Sequence, residues 1–223
     1  MPDYEQMLED YYTELLKAGD VCIDVGAHVG RHTFPMARCV VPHGRVFAFE
    51  PLPEIVRQLR ANVAATPQLG QLVEVNECAL AEEAGETDFT FVQNNPGYSG
   101  LLPRHYDTPV VTQVIRVSVH RLDEMAERMP RIRYIKIDCE GGELRVLRGA
   151  RGLLERDRPI VSFESSDAGL GEYGYTAADI FDFWDVLGYD VQSITKQPMN
   201  RAGYITASAQ QHFWDYIATP RER

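Results

Sequence analysis

The chain has no apolar stretch long enough to cross a bilayer, and its first residues carry Asp3, Glu5, Glu9 and Asp10 where a secretory leader needs a basic start and an apolar run. A soluble, cytoplasmic protein without a membrane partner is expected. C-x-x-C pairs are absent. The four cysteines stand at 22, 39, 78 and 139, and reduced thiols in an intracellular protein are the simple reading. Positive charge is scarce: 22 basic residues against 33 acidic ones leave a net charge of −11, and the basic residues are scattered. Phosphate backbones are bound by clustered Lys and Arg, so nucleic acid is not an expected partner. No low-complexity tract, internal repeat or heptad pattern divides the 223 residues, of which 44% are hydrophobic. One domain over residues 1–223 is expected, with a helix within 1–19 and an inserted hairpin and loop over 87–119.

What is present first is Val21-Cys22-Ile23-Asp24-Val25-Gly26-Ala27-His28-Val29-Gly30, a short apolar run ending in an acid and two glycines, with Glu50 closing the next apolar run. Glycines let the chain turn sharply at the end of a strand and approach a ligand closely. A carboxylate after the second strand can accept from two ribose hydroxyls. A dinucleotide-binding turn, G-x-G-x-x-G, would need glycines at 28 and 31, and the chain has His28 and Arg31. Asp24 would repel a pyrophosphate yet suits the ammonium of a methionine, directly or through water. The pattern therefore favours S-adenosylmethionine (SAM) over the alternative of an NAD-dependent reductase or epimerase; a non-catalytic SAM-binding protein is a further alternative. The plainer reading is that any doubly wound sheet needs a glycine after its first strand.

Periodicity predicts an amphipathic helix over 4–18, strands near 21–25, 45–50 and 71–75, and a helix from Glu54 to Ala65. Alternation predicts strands at 87–92 and 110–119 flanking a long irregular stretch, Gln93 to Pro109. Long loops of this kind often cover or line sites. Its Tyr98, Leu101, Leu102, His105 and Tyr106 could form a wall for an acceptor or simply pack the loop down. Strands at Ile132–Asp138 and Ile160–Glu164 follow, with a helix from Glu143 to Glu155 between them. Thr176-Ala177-Ala178-Asp179 reads as a capping box, and Gly188–Ile194 with Tyr204–Ser208 as a closing hairpin.

A second constellation ends the fourth parallel strand: Ile135-Lys136-Ile137-Asp138-Cys139-Glu140-Gly141-Gly142-Glu143, three carboxylates within six residues. In an open α/β sheet this is the edge where the ligand crevice lies. Crowding raises at least one carboxyl pKa, the condition a general base requires, although Glu140 and Glu143 could equally serve the N-terminus of the next helix. Hard oxygen donors at Asp138, Glu140 and Glu164 also leave a Mg²⁺-assisted route conceivable, but no metal ligand is assigned.

Asp24-Val25-Gly26-Ala27-x-x-Gly30, Phe47-x-Phe49-Glu50-Pro51, Leu122-Asp123-Glu124 and Ile135-Lys136-Ile137-Asp138-x-Glu140-Gly141-x-Glu143 together resemble the FkbM family of SAM-dependent methyltransferases, over about residues 18 to 165. The resemblance implies an α/β, Rossmann-like class I methyltransferase fold, with a mostly parallel seven-stranded sheet, an antiparallel last strand and helices on both faces. It also implies O-methylation of a hydroxyl on a small molecule, sugar or other natural product. It would place Asp24, Gly26, Ala27, His28 and Gly30 around the methionine part of SAM, Glu50 on its ribose, and Cys78 and Ala79 near its adenine. Asp138 and Glu140 would lie beside the reacting atoms, with Glu164 in reserve as a third catalytic candidate. His28 stands where the family commonly has Asn; both donate and accept hydrogen bonds, but a histidine can titrate near neutrality.

Overall fold

The computed structural model describes residues 3–103, 106 and 108–222. Helix α1, Tyr4–Leu15, starts at Asp3, whose side chain accepts from the Gln6 N–H at 3.0 Å, and it ends three residues before the expected limit because Leu16 is already extended. Leu8 and Tyr12 on its inner face are buried. Strand β1 (Val21–Val25), helix α2 (Thr33–Val40), strand β2 (Arg45–Phe49), helices α3 (Pro53–Ala65) and α4 (Pro67–Gly70) and strand β3 (Val73–Asn76) then wind one half of the sheet. Strand β4 (Ala79–Leu80) leads to β5 (Gly85–Val92) and β6 (Thr112–His120). After the short α5 (Leu122–Met125) come β7 (Tyr134–Ile137), α6 (Glu143–Gly149), α7 (Arg151–Asp157), β8 (Ile160–Glu164) and α8 (Asp167–Glu172). Helix α9 (Ala177–Val186), strands β9 (Tyr189–Ser193) and β10 (Pro198–Met199), helix α10 (Arg201–Ala209) and strand β11 (Asp215–Pro220) complete the order.

The eight-stranded sheet has the order β10-β9-β11-β8-β7-β1-β2-β3. Pairs among β8, β7, β1, β2 and β3 are parallel; β11 runs antiparallel between β8 and β9. Beyond the seven expected strands, the two-residue β10 adds an edge. Strands β1 and β7 are buried at every position, as central strands covered by helices on both faces must be, and their near-continuous apolar runs are the sequence form of that burial. One core face gathers Ile135, Leu144, Leu147, Phe163 and Trp184; the other gathers Leu8, Tyr12, Met36 and Tyr134, so α1 is part of the core.

Two expectations need correction. Tyr204–Ser208 is not a strand: it lies in α10, with Tyr204, Ala207 and Ser208 buried at helical spacing and Asn200 capping the start through the Gly203 N–H at 2.8 Å. The strand that closes the sheet is β11. The single helix expected over 143–155 is two, because Ala150 leaves helical geometry at φ −108°, ψ 5°, just after Gly149 has brought the chain so close to the Ala81 carbonyl that a Cβ would collide with it. The capping box at Thr176 and Asp179 forms as the sequence predicts.

Strands β5 and β6 pair antiparallel and, with β4, make a second sheet of three strands. The connection between them folds back: Thr90 and Gly100 exchange backbone hydrogen bonds at 2.8 and 3.1 Å, and Pro96–Tyr98 form a tight turn. This places Pro96–Leu101 above the C-terminal edge of the main sheet, where the strand order reverses between β1 and β7.

Candidate active site

Between that edge and the folded-back loop lies a cavity of about 450 Å³. Its floor is the β1 loop, held by paired hydrogen bonds from the Gly26 and Ala27 N–H groups to the Phe49 carbonyl, both 3.0 Å. Gly26 has φ +77°, and a Cβ there would run into the backbone carbonyl of Asp138. Only glycine lets the β1 and β7 ends approach this closely. Glu50, 5% exposed, projects into the same cavity and accepts from the His28 N–H at 3.0 Å and the Leu52 N–H at 2.9 Å. Burial pushes its carboxyl up to about 7 against the pull of those two donors. His28 takes a left-handed backbone, φ 47°, and burial pushes its imidazole below the usual range, so the ring is neutral at pH 7. Its Nε2 is buried on the cavity wall without a hydrogen-bond partner, which marks a place for a ligand's polar atom.

Of the residues the sequence nominates, Gly26, Ala27, His28, Glu50, Cys78, Ala79, Asp138 and Glu140 line this cavity. Two do not. Asp24 is fully buried and faces inward: Thr33 Oγ1 donates to its Oδ2 at 2.6 Å, and the Lys136 ammonium lies 3.8 Å from its Oδ1. An acid inside a central strand cannot both be 0% exposed and reach a ligand, so the expected direct contact with a methionine ammonium is withdrawn. Gly30 instead lets the Phe34 ring and Leu59 pack against the turn, where a Cβ would clash with the ring. Tyr98 and Leu101 reach the cavity; Leu102, 38% exposed, does not, and Tyr106 stacks on Tyr98 with ring centroids 6.5 Å apart. His105 lies outside the described residues. All four cysteines are free thiols, and Cys78 and Cys139 sit on the cavity wall.

The acids after β7 divide by task. Glu143 accepts from the Cys139 N–H at 2.8 Å and the Gly141 N–H at 3.2 Å, bracing the turn into α6, and burial pushes it up to about 7. Asp138 lines the cavity. Burial works to raise its pKa, but the Lys136 ammonium at 3.2 Å and a hydrogen bond from Glu164 hold it below the usual carboxylate range. Glu164 goes the other way, driven well up by burial and by the charge on Asp138. Their shared hydrogen bond and like charge push the two carboxyls apart, Asp138 down and Glu164 up. Among the described residues, no group of three His, Cys, Asp or Glu side chains is placed to hold a metal ion.

A second cavity of about 340 Å³ lies beyond Asp138, walled by Tyr4, Glu5 and Leu8 of α1 and by Glu164, Trp214 and Asp215. The two cavities share Glu5, His32, Lys136, Asp138 and Glu140. His32, 3% exposed, is held from both sides: Nδ1 pairs with the Tyr12 hydroxyl at 3.1 Å and Nε2 with Glu5 Oε2 at 2.7 Å. Lys136, His32 and Asp215 have no role in the sequence reading. For Lys136 a signal exists, since a lysine inside the apolar run Tyr134–Ile137 must find a carboxylate to be buried. For His32 and Asp215 the chain offers none, because their neighbours come from remote elements.

Residues 24–191 match the family model described as the Methyltransferase FkbM domain. Among curated proteins, 31-O-demethyl-FK506 methyltransferase FkbM of Streptomyces tacrolimicus is 32% identical over 190 residues, covering 70% of this chain and 70% of that protein. Methyltransferase sdnD of Sordaria araneosa is 29% identical over 175 residues, covering 66% of this chain and 67% of that protein. Among solved structures, a methyltransferase FkbM from Methylobacillus flagellatus superposes with a TM-score of 0.56 at 15% identity, over 98% of this chain and 55% of that one. The chain thus spans little more than half the length of that crystallised protein, and the likeness shows the fold. No helix among the described residues is long and apolar enough to cross a membrane.

Proposed function

The chain belongs to the FkbM methyltransferase family, and from that premise we propose that it transfers a methyl group from SAM to a hydroxyl of a small-molecule or sugar acceptor. The observation that carries the reading is the placement of two acids along one cavity: Glu50 at its β2 end and Asp138 at its β7 end, with the glycine cradle of Gly26 between them. A diphosphate laid there would meet carboxylates at both ends, whereas a ribose and a sulfonium would not. The neutral His28 ring, with its unpartnered Nε2, supplies one further polar contact for the methionine part.

SAM supplies an activated methyl group on a positively charged sulfur. The chain's part is to hold an acceptor oxygen in line with that methyl and to take its proton. Positioning of this kind accounts for much of the rate of bimolecular displacements. Asp138, ionised and on the boundary between the two cavities, is placed to accept the proton, an assistance worth about 10² to 10⁴ in rate for a well-placed base. The second cavity would then receive the acceptor.

Titration calorimetry with S-adenosylhomocysteine tests the assignment. The unaltered protein should bind it, and Glu50→Ala should weaken binding at least about tenfold, the cost of hydrogen bonds to a charged group. Equal affinity in the variant removes Glu50 from the ribose. Thermal protection by NAD with none by S-adenosylhomocysteine replaces the whole reading with the dehydrogenase alternative.

A further inference from the structure

Lys136 is a buried cation among the site's acids, 4% exposed in the middle of a central strand. Removing an ammonium from water costs several kcal/mol unless other groups replace the solvent. Its replacements are few and exact in kind: Asp138 Oδ2 at 3.2 Å, the Gly26 carbonyl at 3.5 Å and Asp24 Oδ1 at 3.8 Å. Asp24 is already committed on its other oxygen to Thr33. Asp138 is not symmetric either, because its far side meets the Glu164 carboxyl.

Two touching carboxyls keep one proton between them, and the neighbouring charges decide which oxygen pair holds it. Facing the pair are Glu5 from α1, His32 at the start of α2 and Asp215 from β11, while Asp24 of β1 meets Lys136. From the turn after β7 come Glu140 and Glu143, and from the β1 loop His28. Acids dominate this set, and Glu140 and Glu143 press on Glu164, so the surrounding negative charge already favours a proton there. Lys136 is the cation in contact with the pair, and its salt bridges go to Asp24 and Asp138, with none to Glu164 among the described residues; His32 adds a weaker pull on Asp138.

We propose that Lys136 is a positioning residue for methyl transfer, holding the single negative charge of the Asp138–Glu164 pair on Asp138 so that Asp138 takes the acceptor's hydroxyl proton while Glu164 stays protonated. The bond balance is simple. The acceptor oxygen gains the methyl as its bond to sulfur breaks, the sulfur leaves as a neutral thioether, and the hydroxyl proton passes to Asp138. Glu164 donates its own hydrogen bond throughout and stays neutral. The same ammonium ties the Gly26 carbonyl to the reacting carboxylate, so the donor loop and the base share one anchor. The consequence for catalysis rests on the methyltransferase reading; the distribution of the proton does not.

Carbon-13 NMR of the full chain, labelled at Asp and Glu side-chain carboxyls and without donor or acceptor, reads that distribution directly. Asp138→Asn and Glu164→Gln assign the two resonances. In the unaltered protein Asp138 should stay at its ionised position from pH 5 to 8 and Glu164 at its protonated one. In Lys136→Met the Asp138 titration should move up by at least one pH unit into that window, whereas a lysine needed only for packing would lower the melting temperature and leave the resonances where they were. Should Lys136→Met not fold, Lys136→Gln, which keeps a hydrogen-bond donor and loses the charge, reads the same titration: Asp138 should again move up into the window, and an unmoved Asp138 there overturns the assignment. A protonated Asp138 beside an ionised Glu164 in the unaltered protein, or an unmoved Asp138 in folded Lys136→Met, overturns the assignment. Calorimetry with S-adenosylhomocysteine on the same samples tests the donor reading separately.

Discussion

At the β2 end of the site Glu50 is held by two backbone N–H groups, those of His28 and Leu52; at the β7 end Asp138 is held by side chains, the Lys136 ammonium and the Glu164 carboxyl. Glu50 is buried and burial carries it up to about 7, while Asp138 is about a third exposed and a full positive charge beside it holds it below the usual carboxylate range. Backbone donors are partial charges fixed by the turn and survive almost any substitution nearby. Side-chain donors are whole charges that one substitution can delete. A binding carboxylate can rely on the first arrangement. A carboxyl that must stay ionised beside another carboxyl needs the second.

The strongest way to break the comparison is to disturb the residue that joins the ends. Gly26→Ala forces a side chain into a left-handed position and against the Asp138 carbonyl, so it should cost at least about 2 kcal/mol in urea unfolding and abolish S-adenosylhomocysteine binding. A variant with native stability and affinity would mean that the two ends are not held in contact.

The next largest effect concerns pH. Glu50 at one end and Glu143 at the other are both pushed from an ordinary 4.5 up to about 7 by burial. Folding therefore takes up protons between those values, and the stability these groups contribute falls as pH rises across that interval, levelling above about 7. Asp138, Glu5 and Asp157 are lowered instead, so their contribution is lost only on acidification below the ordinary carboxylate range. The melting temperature of the donor-free protein should accordingly decline from pH 5 to 8, and Glu50→Gln and Glu143→Gln should each flatten that slope. A slope untouched by Glu50→Gln would show that this end is not buried as described.

The smallest effect sharpens the β2 end. Its hold on Glu50 uses the His28 backbone, not the ring, so His28→Asn, which tolerates the left-handed φ and keeps a polar tip, should leave S-adenosylhomocysteine affinity within about threefold. A larger loss on calorimetry would show that the amide cannot replace the contact the imidazole Nε2 makes.

Much of this architecture is legible along the chain. The apolar runs of β1, β2, β7 and β8, the Asp24-to-Gly30 turn, Glu50 and the cluster from Asp138 to Glu143 lie in sequence where the sheet edge needs them, and the capping box at Thr176 forms as written. Asp24 shows the limit of that legibility. Its position at the end of a strand is evident, but the face it turns to is decided by Thr33, nine residues on, and by Lys136, on another strand. Tyr204–Ser208 shows another limit, since a short run of mixed residues has no distinct period and its aromatic ring settles among Phe163, Phe181 and Tyr216 only when α10 is helical.

Local backbone requirements and hydrophobic periodicity make the central strands β1, β2, β7 and β8, the acidic character of the crevice and the glycine turn beneath it legible along the chain. Only the tertiary structure decided which acid is charged, which is neutral and which is withdrawn from the cavity. Those properties depend on distances between groups such as Lys136 and Gly26, 110 residues apart in the chain and 3.5 Å apart in space, and electrostatic energy depends on the second separation alone.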